Sequence, residues 1–153
     1  MSNAATEIAN LLYRYARCVD TGDFAGIGRL FEHGRLTAEG GGMDVTGVQE
    51  IEAHFGRTTR LYPDTGTPKT KHVMSNPIIE VDEAKGTATC NAYYTVFQAT
   101  DELPLQPIIA GRYEDQFERV DGRWRYTEKK YFVELVGDLS HHLLMSISDA
   151  QDA

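Results

Sequence analysis

A chain of 153 residues fits a single domain and buries roughly 70% of its unfolded surface, so it needs no metal or disulfide to hold a core. Apolar residues make up 41% and charged residues 25%, a globular balance that argues against disorder. Fifteen Lys and Arg against 23 Asp and Glu leave a formal charge of -8, which repels nucleic acid and anionic membrane.

In chain order, Ile8, Leu11, Leu12, Tyr15 and Val19 recur at three- and four-residue spacing and predict a helix from about residue 4 to residue 20, ended by Gly22. Arg14 and Arg17 interrupt this apolar segment, and no stretch approaches the ~20 residues of a membrane span; neither signal peptide nor anchor is expected. Asp23 reads as the N-cap of a short second helix carrying Phe24, Ile27, Leu30 and Phe31 inward. Leu36 to Ala38 and Met43 to Thr46 form a small strand pair around a glycine turn at 40–42. Gly47 opens a third helix, with Val48, Ile51, His54 and Phe55 on one face, that stops before Pro63. Four β-rich segments follow, at about 70–82, 87–100, 107–120 and 123–136, and Asp121-Gly122 between the last two is a hairpin turn. Helices first and strands last give an α+β class, helices on one face of a curved, mainly antiparallel sheet whose cone-shaped interior holds a ligand. Residues 1–153 read as one domain, with about 137–153 as a flap or tail. Within it, Asp138 to Ile147 is apolar enough for a short helix or flap, with a frayed tail as the alternative. Two cysteines, Cys18 and Cys90, read as small core residues, and the expected location is the reducing cytoplasm.

Two residues stand out chemically. Asp20 falls in the last turn of the first helix, where the helix dipole disfavours a carboxylate unless something positive or protonated faces it; the alternative is a solvated turn residue. His72 shares a strand face with Thr70, Met74 and Asn76, while Lys71, Val73 and Ser75 point the other way. Histidine is the natural general base near neutral pH, and a carboxylate partner fixes its tautomer; the alternative is a core histidine bonded to a backbone carbonyl. The glycine run lacks the setting of a phosphate loop. His141 and His142 have no metal-ligand spacing around them, and no serine has a nucleophile-elbow context. No metal, nucleotide or covalent nucleophile is expected.

Taken together, the segments Arg14-Tyr15-Ala16, Val19-Asp20-Thr21-Gly22-Asp23, Leu30-Phe31, Gly47-x-x-x-Ile51, His72-Val73-Met74-Ser75-Asn76, Ala110-Gly111-Arg112-Tyr113-Glu114-Asp115 and Asp121-Gly122-Arg123-Trp124-Arg125 resemble the SnoaL-like, scytalone dehydratase-like group of the nuclear-transport-factor-2-like superfamily. The likeness runs from about residue 5 to residue 136. It implies a cone-shaped α+β barrel, a homodimer or homotrimer, and no cofactor or metal. It also implies that Asp20 orients His72 as a base, that Tyr15 is a polar pocket residue, and that Lys129 stands at a pocket position of the dehydrochlorinase branch. Val19 departs from the tyrosine that scytalone dehydratase has there, and segment 87–100 lacks that enzyme's second histidine, so scytalone itself is not the expected substrate.

The resulting expectation is a cofactor-independent lyase or isomerase with His72 and Asp20 as a general-base dyad. Tyr15, Asn76, Tyr94, Arg112 and Lys129 are the candidate substrate-binding residues for a hydrophobic, cyclic, oxygenated small molecule. Alternation in the strand of Arg112 also permits an outward ion pair with Glu114 or Glu118. The alternatives are a ligand-binding module without turnover and a small subunit of an oxygenase-type complex. An outer sheet face of Lys71, Val73, Ser75, Ile79 and Val81 is expected to carry the subunit contact. For a catalytic dyad, Asp20→Asn is expected to leave stability unchanged or raised; for a structural aspartate, to lower it.

Overall fold

The computed structural model describes residues 3–146. Helix α1 (Ala4–Thr21) starts at Asn3, whose side chain accepts a hydrogen bond from the Ala5 N–H, and buries Ile8, Leu11, Leu12, Tyr15, Ala16 and Val19. Gly22 stops it in the left-handed region, φ 74°, and no larger residue fits there, since a Cβ would meet Gly66 O at 2.5 Å. One residue later Asp23 caps helix α2 (Phe24–Leu30) by accepting from the Gly26 N–H at 2.8 Å. The short strands β1 (Arg35–Ala38) and β2 (Asp44–Thr46) flank a single 3-10 turn, Glu39–Gly41. Helix α3 (Val48–Thr58) follows, burying Ile51 and Phe55.

The long strands β3 (Thr70–Asp82), β4 (Thr87–Gln98), β5 (Gln106–Val120) and β6 (Arg123–Val136) form an antiparallel meander. Asp121 and Gly122, at φ 49° and 77°, make the tight β5–β6 turn. The full order is β2-β1-β6-β5-β4-β3, and β1 joins β6 in parallel. Helix α1 lies across β3 and β6, and α2 packs on α3. The core is the space between helices and sheet, filled on the sheet side by Cys90, Ala92, Tyr94 and Val96 of β4, Tyr113 and Phe117 of β5, and Trp124 and Tyr126 of β6.

Strand β3 departs from simple alternation. Ser75 pairs with Tyr93 but Ile78 with Asn91, so Asn76 and Pro77 together oppose Ala92 in a β-bulge, with Asn76 at φ 53°. The extra residue reverses the phase of everything after it. Ile79 and Val81, expected on the outer face, therefore pack against the core, and Ile78 is turned out with 65% of its surface exposed. The same bulge removes Asn76 from the face of His72. Proline is tolerated there because β3 is the sheet edge, where a lost donor breaks no ladder.

After β6, of the short helix or flap expected over Asp138 to Ile147, the described residues 138–146 form no helix. Residues 138–144 make a turn and then a bridge between Leu143 and Thr59, a strap laid across the end of α3. Ile147 and the rest of the tail lie outside the described residues.

Candidate active site

Asp20 sits in the last turn of α1, not in a solvated turn, and reaches the start of β3. It accepts three hydrogen bonds: from Thr70 Oγ1 at 2.8 Å, from the His72 backbone N–H at 2.8 Å, and from His72 Nδ1 at 2.6 Å. Both side chains are largely enclosed, His72 at 7% exposure and Asp20 at 11%. Burial raises the carboxyl's proton affinity, but the ring and backbone donors of His72 and the Thr70 hydroxyl outweigh it and hold Asp20 below its ordinary value. A carboxylate only accepts, so Nδ1 carries the proton of the 2.6 Å bond. Nε2 has no hydrogen-bond partner among the described residues.

Below the dyad lies an aromatic floor. The Tyr15 ring meets His72 edge-on, 6.5 Å between centroids, and its hydroxyl bonds that of Tyr131 at 2.8 Å. Lys129, fully buried, places Nζ 3.0 Å from Asp115 Oδ2, 3.4 Å from the Tyr113 centroid and 4.6 Å from that of Tyr15. Burial pushes the Asp115 carboxyl up to about 6 despite Lys129, and burial likewise lowers Lys129. Tyr94 stacks on Tyr113, 4.3 Å between centroids, and its hydroxyl points to Phe132 O at 3.4 Å. Burial raises the Tyr15 and Tyr94 hydroxyls, so both remain protonated donors.

Of the residues singled out in the sequence, the fold thus brings Asp20, His72, Tyr15, Lys129 and Tyr94 to one interior. Asn76 and Arg112 go elsewhere. Arg112 faces out, stacked 3.8 Å above Phe132 and paired with Glu134 at 3.5 Å and Glu114 at 3.6 Å. With Asn76, Ile78 and Tyr93 it lines a shallow outer depression of about 440 Å³.

Three contributors escaped the sequence reading. Thr70 lies one inward position before His72, so its hydroxyl was visible as a same-face neighbour. Asp115 faces Lys129 directly across the β5–β6 ladder, a register set by the Asp121-Gly122 turn together with a one-residue bulge between Gln116 and Phe117. His142 comes from the strap, 6% exposed, with its ring centroid 6.3 Å from that of His72. Only its place in an apolar segment hinted at burial.

A family model described as "SnoaL-like domain" matches residues 1–130. The chain belongs to the SnoaL-like family. A search of curated proteins finds no match. Among solved structures, this SnoaL-like fold is shared by a candidate scytalone dehydratase of Novosphingobium aromaticivorans, with a TM-score of 0.67, 21% identity, and 88% of this chain and 86% of that one covered. ActVI-ORFA from Streptomyces coelicolor matches at TM-score 0.68 and 15% identity over 87% of this chain and 98% of its own. The β subunit of a candidate aromatic-ring-hydroxylating dioxygenase from Novosphingobium aromaticivorans matches at 0.69 and 16%, over 87% and 90%. At these identities the likeness establishes the nuclear-transport-factor-2-like, cystatin-like fold shared with the SnoaL-like group.

Proposed function

We propose that this SnoaL-like protein is a cofactor-independent lyase or isomerase for a hydrophobic, cyclic, oxygenated small molecule, with His72 as general base and Asp20 as its orienting carboxylate. The observation that carries the reading is the Nδ1–Asp20 bond, which fixes the tautomer and leaves Nε2 unengaged. Nε2 takes a proton from a carbon next to a carbonyl, and Asp20 balances the imidazolium that forms. The electron pair moves onto the carbonyl oxygen as an enolate, or expels a β-hydroxyl to which the same imidazolium returns the proton. General-base catalysis contributes about 10²–10⁴-fold, and the buried tyrosine donors supply the field for the developing oxyanion. Similarity in fold to a candidate scytalone dehydratase agrees with this class of reaction.

Carbon-acid exchange tests it without the natural substrate. The bicyclic ketone 2-tetralone is incubated with the protein in D₂O, binding is followed by NMR, and deuterium uptake at its α-carbons is timed. The expected result is uptake that His72→Ala removes. Binding without His72-dependent uptake supports instead the second reading, a ligand-binding or subunit role such as the dioxygenase β-subunit likeness favours. Failure of any bicyclic ketone to bind overturns the substrate class.

A further inference from the structure

His142 is the one histidine beside the dyad to which the mechanism above gives no task. Its main chain is fixed on both sides: its N–H donates to Leu139 O at 3.0 Å, and its carbonyl accepts from the Arg60 N–H at 2.8 Å. The ring is a different matter. Neither of its nitrogens has a partner among the described residues, and Nδ1 is completely buried. A buried polar nitrogen left without a partner opposes folding, and a phenyl ring would fill the same space without that penalty. The ring lies 6.3 Å from that of His72 between centroids and is tilted 66° to it, so the strap and β3 bring two imidazoles side by side.

We propose that His142 is the hydrogen-bonding group for the oxygen function of the substrate, opposite the base His72; this rests on the reading of the site as one for a cyclic oxygenated molecule. Burial, then the neighbouring His72, push the His142 imidazole down to about 4, against the opposite pull of Asp20. At neutral pH the ring is therefore uncharged, with one N–H donor and one acceptor. Such a ring can donate to a carbonyl or enolate oxygen without adding a second positive charge beside His72 when that residue takes up its proton. Neutral imidazole is a competent electrophile of this kind. No proton leaves His142 in the step: the hydrogen bond shortens as charge gathers on the oxygen.

The experiment compares 2-tetralone with tetralin, which has the same rings and no oxygen, in titrations of the full chain. The ratio of ketone to hydrocarbon affinity should fall about tenfold in His142→Phe, with tetralin affinity unchanged, and His142→Gln should keep most of the ratio. On the unaltered protein, 2-tetralone but not tetralin should move the ¹⁵N resonances of the His142 ring, a readout that needs no variant to fold. An unchanged ratio in His142→Phe, equal loss of both affinities, or a silent His142 ring would overturn the proposal. His72-dependent deuterium uptake alongside any of these leaves the proposed function standing and removes only His142. Binding of neither compound overturns both.

Discussion

The carboxylate of Asp20 carries more of the structure than its position in a helix suggests. Three hydrogen bonds converge on it, two of them from one residue, and they join the end of α1 to the start of β3. Asparagine keeps the shape but offers one oxygen where two now accept, and its amide N–H₂ would confront donors. Asp20→Asn should therefore lower stability by about 1.5–3 kcal/mol in thermal or urea unfolding, whatever the site does chemically. This replaces the expectation, drawn from the sequence, that a catalytic Asp20 could be neutralised at no cost to stability. The sign with pH follows from the lowered carboxyl. A folded-state value below the unfolded one gives stability that is present above about pH 4 and lost as pH falls through the folded value. The gap between the native protein and Asp20→Asn should thus be full at neutral pH and close in acid. A constant gap from pH 7 to pH 3 would refute the argument. Lys129 follows a different rule: Lys129→Met strands the buried Asp115 and should cost about 3–5 kcal/mol, whereas Lys129→Met with Asp115→Leu should recover most of it.

At the scale of elements, the strap after β6 is tied down by more than its apolar side chains. His141 O accepts from Tyr62 Oη at 2.6 Å and from Gln98 Nε2 at 2.9 Å, and Leu144 N–H donates to Thr58 O at 2.9 Å. Gln98 is only 1% exposed, so removing the strap strips a buried amide of a partner. Truncation after Gly137 should cost about 1–3 kcal/mol in unfolding while circular dichroism keeps its sheet signal. It should also speed modification of His72 by diethyl pyrocarbonate, measured by peptide mass. An unaltered His72 rate would mean that the strap does not cover the dyad. The legibility of elements differed for physical reasons. Apolar spacing along α1 and the turn residues at Gly22, Asp23 and Asp121-Gly122 act locally, so helix, cap and hairpin could be read from neighbours alone. The pairing of Asp20 with His72 was legible only through the family resemblance, because each residue alone reads as readily as a turn aspartate or a core histidine. The bulge at Asn76-Pro77 was not, because an inserted residue matters only through the partner strand that counts it. It moved Asn76 off the inner face and exchanged Ile79 for Ile78 on the outer one. His142 was hidden for the same kind of reason: its place beside the dyad depends on contacts with Arg60 and His72, both at least 70 residues away in sequence.

For the molecule as a whole, the two faces of the sheet divide the labour. The inner face carries the dyad and the tyrosine floor; the outer face carries side chains that a monomer would leave in water. Val73, Ile78 and Tyr93 are 44%, 65% and 56% exposed. They are neighbours, since Val73 pairs with Thr95, Ser75 with Tyr93 and Ile78 with Asn91 on adjoining strands. Scattered exposed apolar residues mean little, but a contiguous set flanking a depression is the kind of surface that a partner covers, and we predict a subunit contact here. Beside it stands Arg112 over Phe132, held between Glu114 and Glu134, which supplies both signs of charge to a self-complementary contact. The face therefore suits a second copy of the chain packed about a two-fold axis, with the bulge setting which residues meet. Light scattering at tens of micromolar should give twice the monomer mass, and Ile78→Glu with Tyr93→Lys should halve it. Because both positions lie on the face turned away from Asp20 and His72, the monomeric variant should still drive His72-dependent deuterium uptake. A native protein that scatters as a monomer would overturn the assignment of the outer face. A variant that becomes monomeric and loses uptake would show that the inner site depends on the assembled pair.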